Sequence, residues 1–497
     1  MATPTPSRIS RPSVGTTPSR PSIGSFSARD SATGLVFRSG IRSFVNVRPA
    51  FISSAADEAA DEAFAFDTPR PTASILETGI VRDLIHHSLN WKQASLLIVA
   101  EVLGTGVLAL PGGLRVLGWI PGITALAVCY PINLYIGLLL ERLRRVAPAC
   151  ITLADLAKAT IGWHGSIIGR MFLVIYFVSL CGNYLVVMGT SLQAIVANKD
   201  GSNNMTQLVG VSISAAFVIF PSQLRTLENT TLLCIGSAVA MVVAIGLLLH
   251  EVVSTSCAGI APEPDDSYGL FWDVLNAISS FLLACAGQTI YLEMMSEMQE
   301  PRNFTYSLHV AVPLLIALYV LVSAVTYAEC GENTPGYLLD AIPSGTIVKR
   351  VVGALLFAHT LVSYTIQQQV LARNLHLMLD ARHAVILGRG QQGYWRARIE
   401  WCTITLVQLG LAYALAVGVS SFSSIVNLIG ALMVPPLCLI IPCACLVGLP
   451  FDIEFWEYSW IKFVESSFAL VVLVASVVLT VIGTIAALLP IVAPKGS

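Results

Sequence analysis

The stretch Glu101-Val-Leu-Gly-Thr-Gly-Val-Leu-Ala-Leu-Pro111 sets two glycines and a proline inside an apolar run long enough to cross a bilayer. Glycine and proline both weaken a helix interior, so the run is expected to break around Gly104 to Gly106. Inside a membrane such a break survives where the freed backbone groups line a cavity. The half-helix that restarts beyond it offers unpaired amides and a positive dipole end to an anion. A proline kink or a glycine packing face would explain one such run, but neither predicts a second. The second is Ala284-Cys-Ala-Gly-Gln-Thr-Ile-Tyr-Leu-Glu293, with small residues and Gly287 at mid-span and then an acid.

Around these two runs, apolar stretches near the ~20 residues that a helix needs to cross the hydrocarbon core recur along the chain. Eleven are predicted, at 92–114, 119–140, 166–195, 206–223, 229–252, 273–296, 307–329, 346–375, 402–419, 424–447 and 465–492. The 497 residues are 55% hydrophobic and 12% charged, too apolar for an ordinary water-soluble protein. The lipid bilayer is the expected solvent. The two interrupted runs are the first and sixth spans, and matching interruptions in two five-helix halves point to an inverted repeat with its site at the midplane. No repeat is visible residue by residue. The predicted fold is an all-α membrane protein with eleven transmembrane helices, a 5+5 inverted repeat and broken helices 1 and 6. It occupies residues 91–497, behind a tail of residues 1–90.

Lys and Arg near membrane spans prefer the cytosolic side. With the N-terminus in the cytosol, the tail and inner loops hold 23 of the 28 Lys and Arg, and only Arg115, Lys199, Lys349, Arg350 and Lys495 fall outside. All 8 tryptophans lie in loops or at span ends, where interfacial rings belong. This topology puts the sequon at Asn204 outside and those at Asn229 and Asn303 inside. Cys257 and Cys330 also land outside, where they either bridge the loops after the fifth and seventh spans or stay as two thiols. The tail opens Ser-, Pro- and Arg-rich, with Ser10-Arg-Pro-Ser-Val-Gly echoed by Ser19-Arg-Pro-Ser-Ile-Gly. It reads as a disordered cytosolic segment, with an organellar transit peptide as the alternative.

Several motifs resemble the amino acid/auxin permease family. Gly104-Thr-Gly-Val-Leu-Ala-Leu-Pro111 followed by Leu117-Gly-Trp-Ile-Pro-Gly122 is similar to that family's first helix, and Gly287-Gln288 to Glu293, continuing into Met298-Gln-Glu-Pro-Arg-Asn-Phe304, to its sixth. His359-Thr-Leu-Val-Ser-Tyr-Thr-Ile and Leu428-Ile-Gly-Ala-Leu-Met-Val-Pro-Pro-Leu resemble the eighth and tenth. The resemblance runs from about Trp91 to Val492. It implies a fold of the amino acid, polyamine and organocation type, alternating access around a central site, and usually proton-coupled uptake of amino acids. Glu101 and the Met-Met-Ser-Glu before Glu300-Pro301 bring it nearest to neutral amino-acid permeases. Two departures are Gln288, where many members have His, and Gly112-Gly113, where many have Tyr-Ala.

The residues divide into substrate and coupling candidates. The carboxylate of an amino-acid substrate is expected at the amides and hydroxyl of Gly104, Thr105 and Gly106. Its ammonium is expected at carbonyls near Ala286 and Gly287, with Gln288 and Tyr291 beside the substrate and Met294 and Met295 along the side-chain pocket. Glu101 is read either as a proton carrier or as a structural acid accepting backbone amides at the break. Glu293 couples protons or, with Glu297, faces a cytosolic vestibule. His359 relays protons or is a neutral hydrogen-bonding residue. Ser363 and Thr365 offer hydroxyls to sodium, although such groups commonly bond their own helix, so protons are preferred as the coupling ion.

Other functions fit less well. A net charge of −2 gives no basic field for nucleic acid. The 11 cysteines follow no zinc spacing, so no metal and no cofactor are expected. No cluster of acids or nucleophile with its base suggests an enzyme, and no ring of charges suggests a channel. A sensor that binds amino acids and signals through its tail is the remaining alternative. The expected location is a multi-pass position in the plasma membrane or a vacuolar or lysosomal membrane.

Overall fold

Apolar runs in lipid must satisfy their backbone internally, which leaves helices or closed barrels; this chain takes the first course. The computed structural model describes residues 89–198, 205–225, 230–257, 268–379, 392–419, 421–448 and 459–492. The tail expected over 1–90 lies outside them except for Leu89 and Asn90, as do Asn204 and Asn229 of the sequons. The helices are α1 (Trp91–Val102), α2 (Leu110–Leu117), α3 (Trp119–Val146), α4 (Leu153–Thr160), α5 (Trp163–Val196), α6 (Gln207–Ser222), α7 (Thr230–Thr255), α8 (Leu270–Ala284), α9 (Gln288–Glu297), α10 (Phe304–Cys330), α11 (Ile347–Leu379), α12 (Tyr394–Gly418), α13 (Phe422–Leu432), α14 (Ile441–Val447) and α15 (Ser459–Val492). A 3-10 turn, Thr105–Ala109, joins α1 to α2, and a π segment, Pro436–Ile440, precedes α14.

Nine helical stretches among the described residues are long and apolar enough to cross a membrane, with α8 and α9 counted as one and α13 to α14 as another. The other two expected spans differ for identifiable reasons. The first is a pair of helical pieces, Trp91–Val102 and Thr105–Leu117, bent by 45°. The fourth, α6, is apolar but has only 16 residues. The helix α15 leaves Phe463, Val471 and Val481 exposed, as a lipid-facing helix should.

The centre of the bundle is α5, whose residues Leu180 to Gly189 are all buried. It packs on α4, α6, α11 and α12. Contact with α6 is close because both partners are small: a Cβ on Gly210 would fall 2.8 Å from the Gly189 carbonyl oxygen. Small residues at crossings let membrane helices approach closely. Polar ties add to this. Ser222 bonds Gln368, Gln368 Nε2 donates to the Thr405 carbonyl (3.0 Å), and Trp401 Nε1 donates to the Ser222 carbonyl (3.3 Å), joining α6, α11 and α12.

Two cross-links fix the ends. Leu89, before α1, exchanges backbone bonds with the end of α9, donating to the Glu297 carbonyl (3.1 Å) and accepting from Gln299 N (2.9 Å). At the far ends of α7 and α10, Cys257 and Cys330 form a disulfide with Cα atoms 5.2 Å apart. Of the two readings left open by the sequence, the bridge is the one found.

Candidate functional site

The helix α1 begins with a capping box between Asn90 and Gln93 and stops at Val102. Gly104 is extended (φ −99°, ψ −157°), and the chain turns helical again from Thr105. The first amides of that new run, Thr105 and Gly106, have no partner within it. In the second run α8 ends at Ala284 and α9 begins at Gln288, with Cys285 to Gly287 forming tight turns. The two discontinuities touch: a Cβ on Gly106 would lie 2.8 Å from Ala284 Cα. Only glycine permits that approach.

One side chain serves both. Tyr319 of α10, buried, places its hydroxyl 3.1 Å from the Val102 carbonyl and 2.7 Å from the Ala284 carbonyl. These are the last carbonyls of α1 and α8, groups that a helix end leaves without an intrahelical donor. The phenol therefore bonds the ends of both helices from a single point.

Between the discontinuities lies a small cavity of about 40 Å³, room for a few water molecules. Glu101, Gly104, Thr105 and Gly106 line one side, and Ala286, Gly287, Thr289 and Ile290 another; α5 contributes Tyr176, Leu180 and Tyr184. Glu101 is the sole ionisable carboxyl in this lining, and no Lys or Arg belongs to it. Its carboxylate accepts from Cys234 Sγ of α7 (3.2 Å) and Gln367 Nε2 of α11 (3.4 Å). Thr105 is held by Asn183, whose Nδ2 donates to Thr105 Oγ1 at 2.8 Å. With an oxygen lone pair so occupied, the hydroxyl proton is free to be donated elsewhere. The Ala286 carbonyl accepts from Thr289 Oγ1 (3.2 Å) and the Gly287 carbonyl from Ile290 N (3.3 Å), which leaves each a second lone pair.

The structure thus brings Glu101, Gly104, Thr105, Gly106, Ala286 and Gly287 to one cavity. It does not bring the other candidates there. Gln288 bonds Asn133 of α3 instead, and Asn133 in turn donates to the Cys129 carbonyl at 2.9 Å. Tyr291 packs edge-on against Phe304 with ring centroids 5.3 Å apart. Glu293 and Glu297 both lie within the field of Arg373 and outside the cavity lining. His359 is buried on α11, its Nδ1 2.8 Å from Ser237 Oγ of α7. Met294 and Met295 belong to the hydrophobic core. Thr365 bonds the Leu361 carbonyl of its own helix at 2.8 Å.

Asn183, Tyr319, Gln367 and the two α5 tyrosines were not among the sequence candidates. A signal existed for the amides: Asn183 and Gln367 are polar residues inside apolar runs, costly to bury without a role.

A family model described as transmembrane amino acid transporter protein matches residues 87–489. The chain belongs to that family. The transmembrane amino acid transporter proteins are transporters rather than enzymes, so this is a multi-pass membrane protein of amino-acid transport. Among curated relatives, a "Transmembrane transporter" of Gibberella moniliformis is 23% identical over 71% of this chain and 74% of that one. An "Amino acid transporter AVT3C" of Arabidopsis thaliana is 24% identical over 78% of this chain and 88% of that one. Among solved structures, MhsT in complex with L-phenylalanine is 14% identical over 81% of this chain and 98% of that one, with a TM-score of 0.48. Both discontinuities fall within the region that the transmembrane amino acid transporter family model covers.

Proposed function

We propose that the chain is a proton-coupled symporter of neutral amino acids that alternates access around the cavity between the α1–α2 and α8–α9 discontinuities. The observation that carries this reading is the convergence at one cavity of unpaired amides, turn carbonyls and a lone carboxyl. The amides of Thr105 and Gly106, with the Thr105 hydroxyl, suit the substrate carboxylate. The second lone pairs of the Ala286 and Gly287 carbonyls suit its ammonium. A lining of tyrosine, leucine, isoleucine and glycine with no Lys or Arg suits a neutral side chain.

Proton coupling is assigned to Glu101, which faces the cavity and has neutral partners in Cys234 and Gln367. A carboxyl that is reached from alternate sides can bind a proton on one and release it on the other. Sodium is disfavoured because Thr365 already bonds its own helix and lies outside the cavity lining. The eleven-helix, 5+5 arrangement with broken helices 1 and 6 is retained: the bent first pair and the short α6 are its first and fourth members. The Cys257–Cys330 bridge supports placing the ends of α7 and α10 on the oxidising side, and so the N-terminus in the cytosol.

The test is Glu101→Gln in proteoliposomes. Concentrative uptake driven by a proton gradient should vanish, while exchange of internal for external amino acid continues. Unaltered pH dependence of uptake in the variant would remove Glu101 from the coupling role.

A further inference from the structure

A second cavity lies on the same two helices as the first, one turn further along. It holds about 540 Å³, a volume in the range of small-molecule sites. Its floor is apolar, formed by Leu173 and Phe177 of α5 and Leu371 of α11. Its mouth is charged: Asp155 and Lys158 come from α4, and Arg170 from α5, with Arg170 3.7 Å from Asp155.

The wall between the cavities is thin. On α5, Tyr176 and Leu180 face the central cavity while Phe177 faces the larger one. On α11, Gln367 lines the first and Leu371, one turn later, the second. Tyr176, Phe177, Leu180 and Leu371 are all buried, and on both helices the residues that line the two spaces are within one turn of each other. One helical turn advances ~5.4 Å, about the length of an amino acid's backbone.

We infer that the larger cavity is a second binding station for the transported amino acid on the cytosolic side, with Phe177 as the partition between the stations. The inference rests on the transport reading above and adds a site to it. The ligand class follows from the charges. A zwitterionic α-amino acid sets its ammonium on Asp155 and its carboxylate on Arg170 or Lys158, replacing the Asp155–Arg170 pair, while its side chain lies on Leu173 and Phe177.

The test uses cysteines placed in the wall, Asn374→Cys on α11 and Ala159→Cys on α4, each in a full-length parent chain that carries Cys150→Ala, because Cys150 lines the same cavity. Each variant is labelled in detergent with a bulky cationic methanethiosulfonate, checked by mass and reconstituted. Flux of the best-carried member of a labelled panel of alanine, leucine, phenylalanine and glutamine is compared with that of the same variant unlabelled. Labelling should cut flux to the level of protein-free liposomes in both variants and leave the identically treated parent chain active. Complete labelling with undiminished flux in both overturns the second station and leaves the transport reading intact. A parent chain that carries no member of the panel overturns the transport reading, and the station with it.

Discussion

Thr105 Oγ1 accepts from Asn183 Nδ2, which leaves its hydroxyl proton to be donated to another group. A hydrogen bond to a charged group contributes about 1.5–3 kcal/mol. Thr105→Val should therefore raise the apparent KM by about tenfold or more, and it should lower stability slightly because the Asn183 amide loses its acceptor. Uptake kinetics read the first effect; an unchanged KM would remove Thr105 from the substrate site. Cys150, in the loop between α3 and α4, answers a different question. Burial, with Asp155 nearby as a lesser cause, pushes its thiol up to about 12. Only the thiolate reacts with alkylating reagents. Because the pKa is raised, the reactive form is scarce at neutral pH, and labelling should keep accelerating as pH rises well past the ordinary thiol range. A rate that levels off near the ordinary thiol value would show the loop to be open. Glu101 and the glycines at 104 and 106 were legible in the sequence because acids and glycines are conspicuous in apolar runs. Tyr319 was not, since a tyrosine in a membrane helix looks like packing until the two carbonyls it meets are known.

At the scale of elements, the two discontinuities are joined by contact at Gly106 and Ala284 and by the Tyr319 hydroxyl. A buried carbonyl deprived of its donor costs about 1–3 kcal/mol. Tyr319→Phe should lower the thermal unfolding midpoint in detergent and reduce maximal flux together, because the Ala284 carbonyl loses the phenol and the Val102 carbonyl is left with the Gly104 amide alone. If neither changes, the phenol holds nothing. Among the described residues α1 ends at Val102 and α8 at Ala284, beside the glycines at 104, 106 and 287. Helix ends are less legible in the sequence. The spans expected at 346–375 and 402–419 appear as helices Ile347–Leu379 and Tyr394–Gly418, since hydropathy marks the thickness of the bilayer while a helix continues into water. The orientation of Gln288 is not legible in the sequence. Its neighbours Gly287 and Thr289 line the cavity, but the partner that turns Gln288 away, Asn133, is 155 residues distant in the chain.

For the whole molecule, composition and periodic apolar runs made the membrane class legible, and the pairing of two interrupted spans suggested a transporter. The tertiary partners of the site came from α5, α7, α10 and α11, whose apolar sequences carry little signal of which face meets α1. The ties at the two ends give the bundle its mechanical logic. Leu89 binds the start of α1 to the end of α9, so pieces of both interrupted spans are joined at the proposed cytosolic end, while the Cys257–Cys330 bridge holds α7 to α10 at the opposite end. The most direct test of amino-acid symport is uptake of labelled neutral amino acids into proteoliposomes of the purified protein, with a proton gradient imposed in one set and a sodium gradient in another. Concentrative uptake under the proton gradient alone is expected; uptake driven by sodium alone, or binding without flux under either gradient, would contradict it.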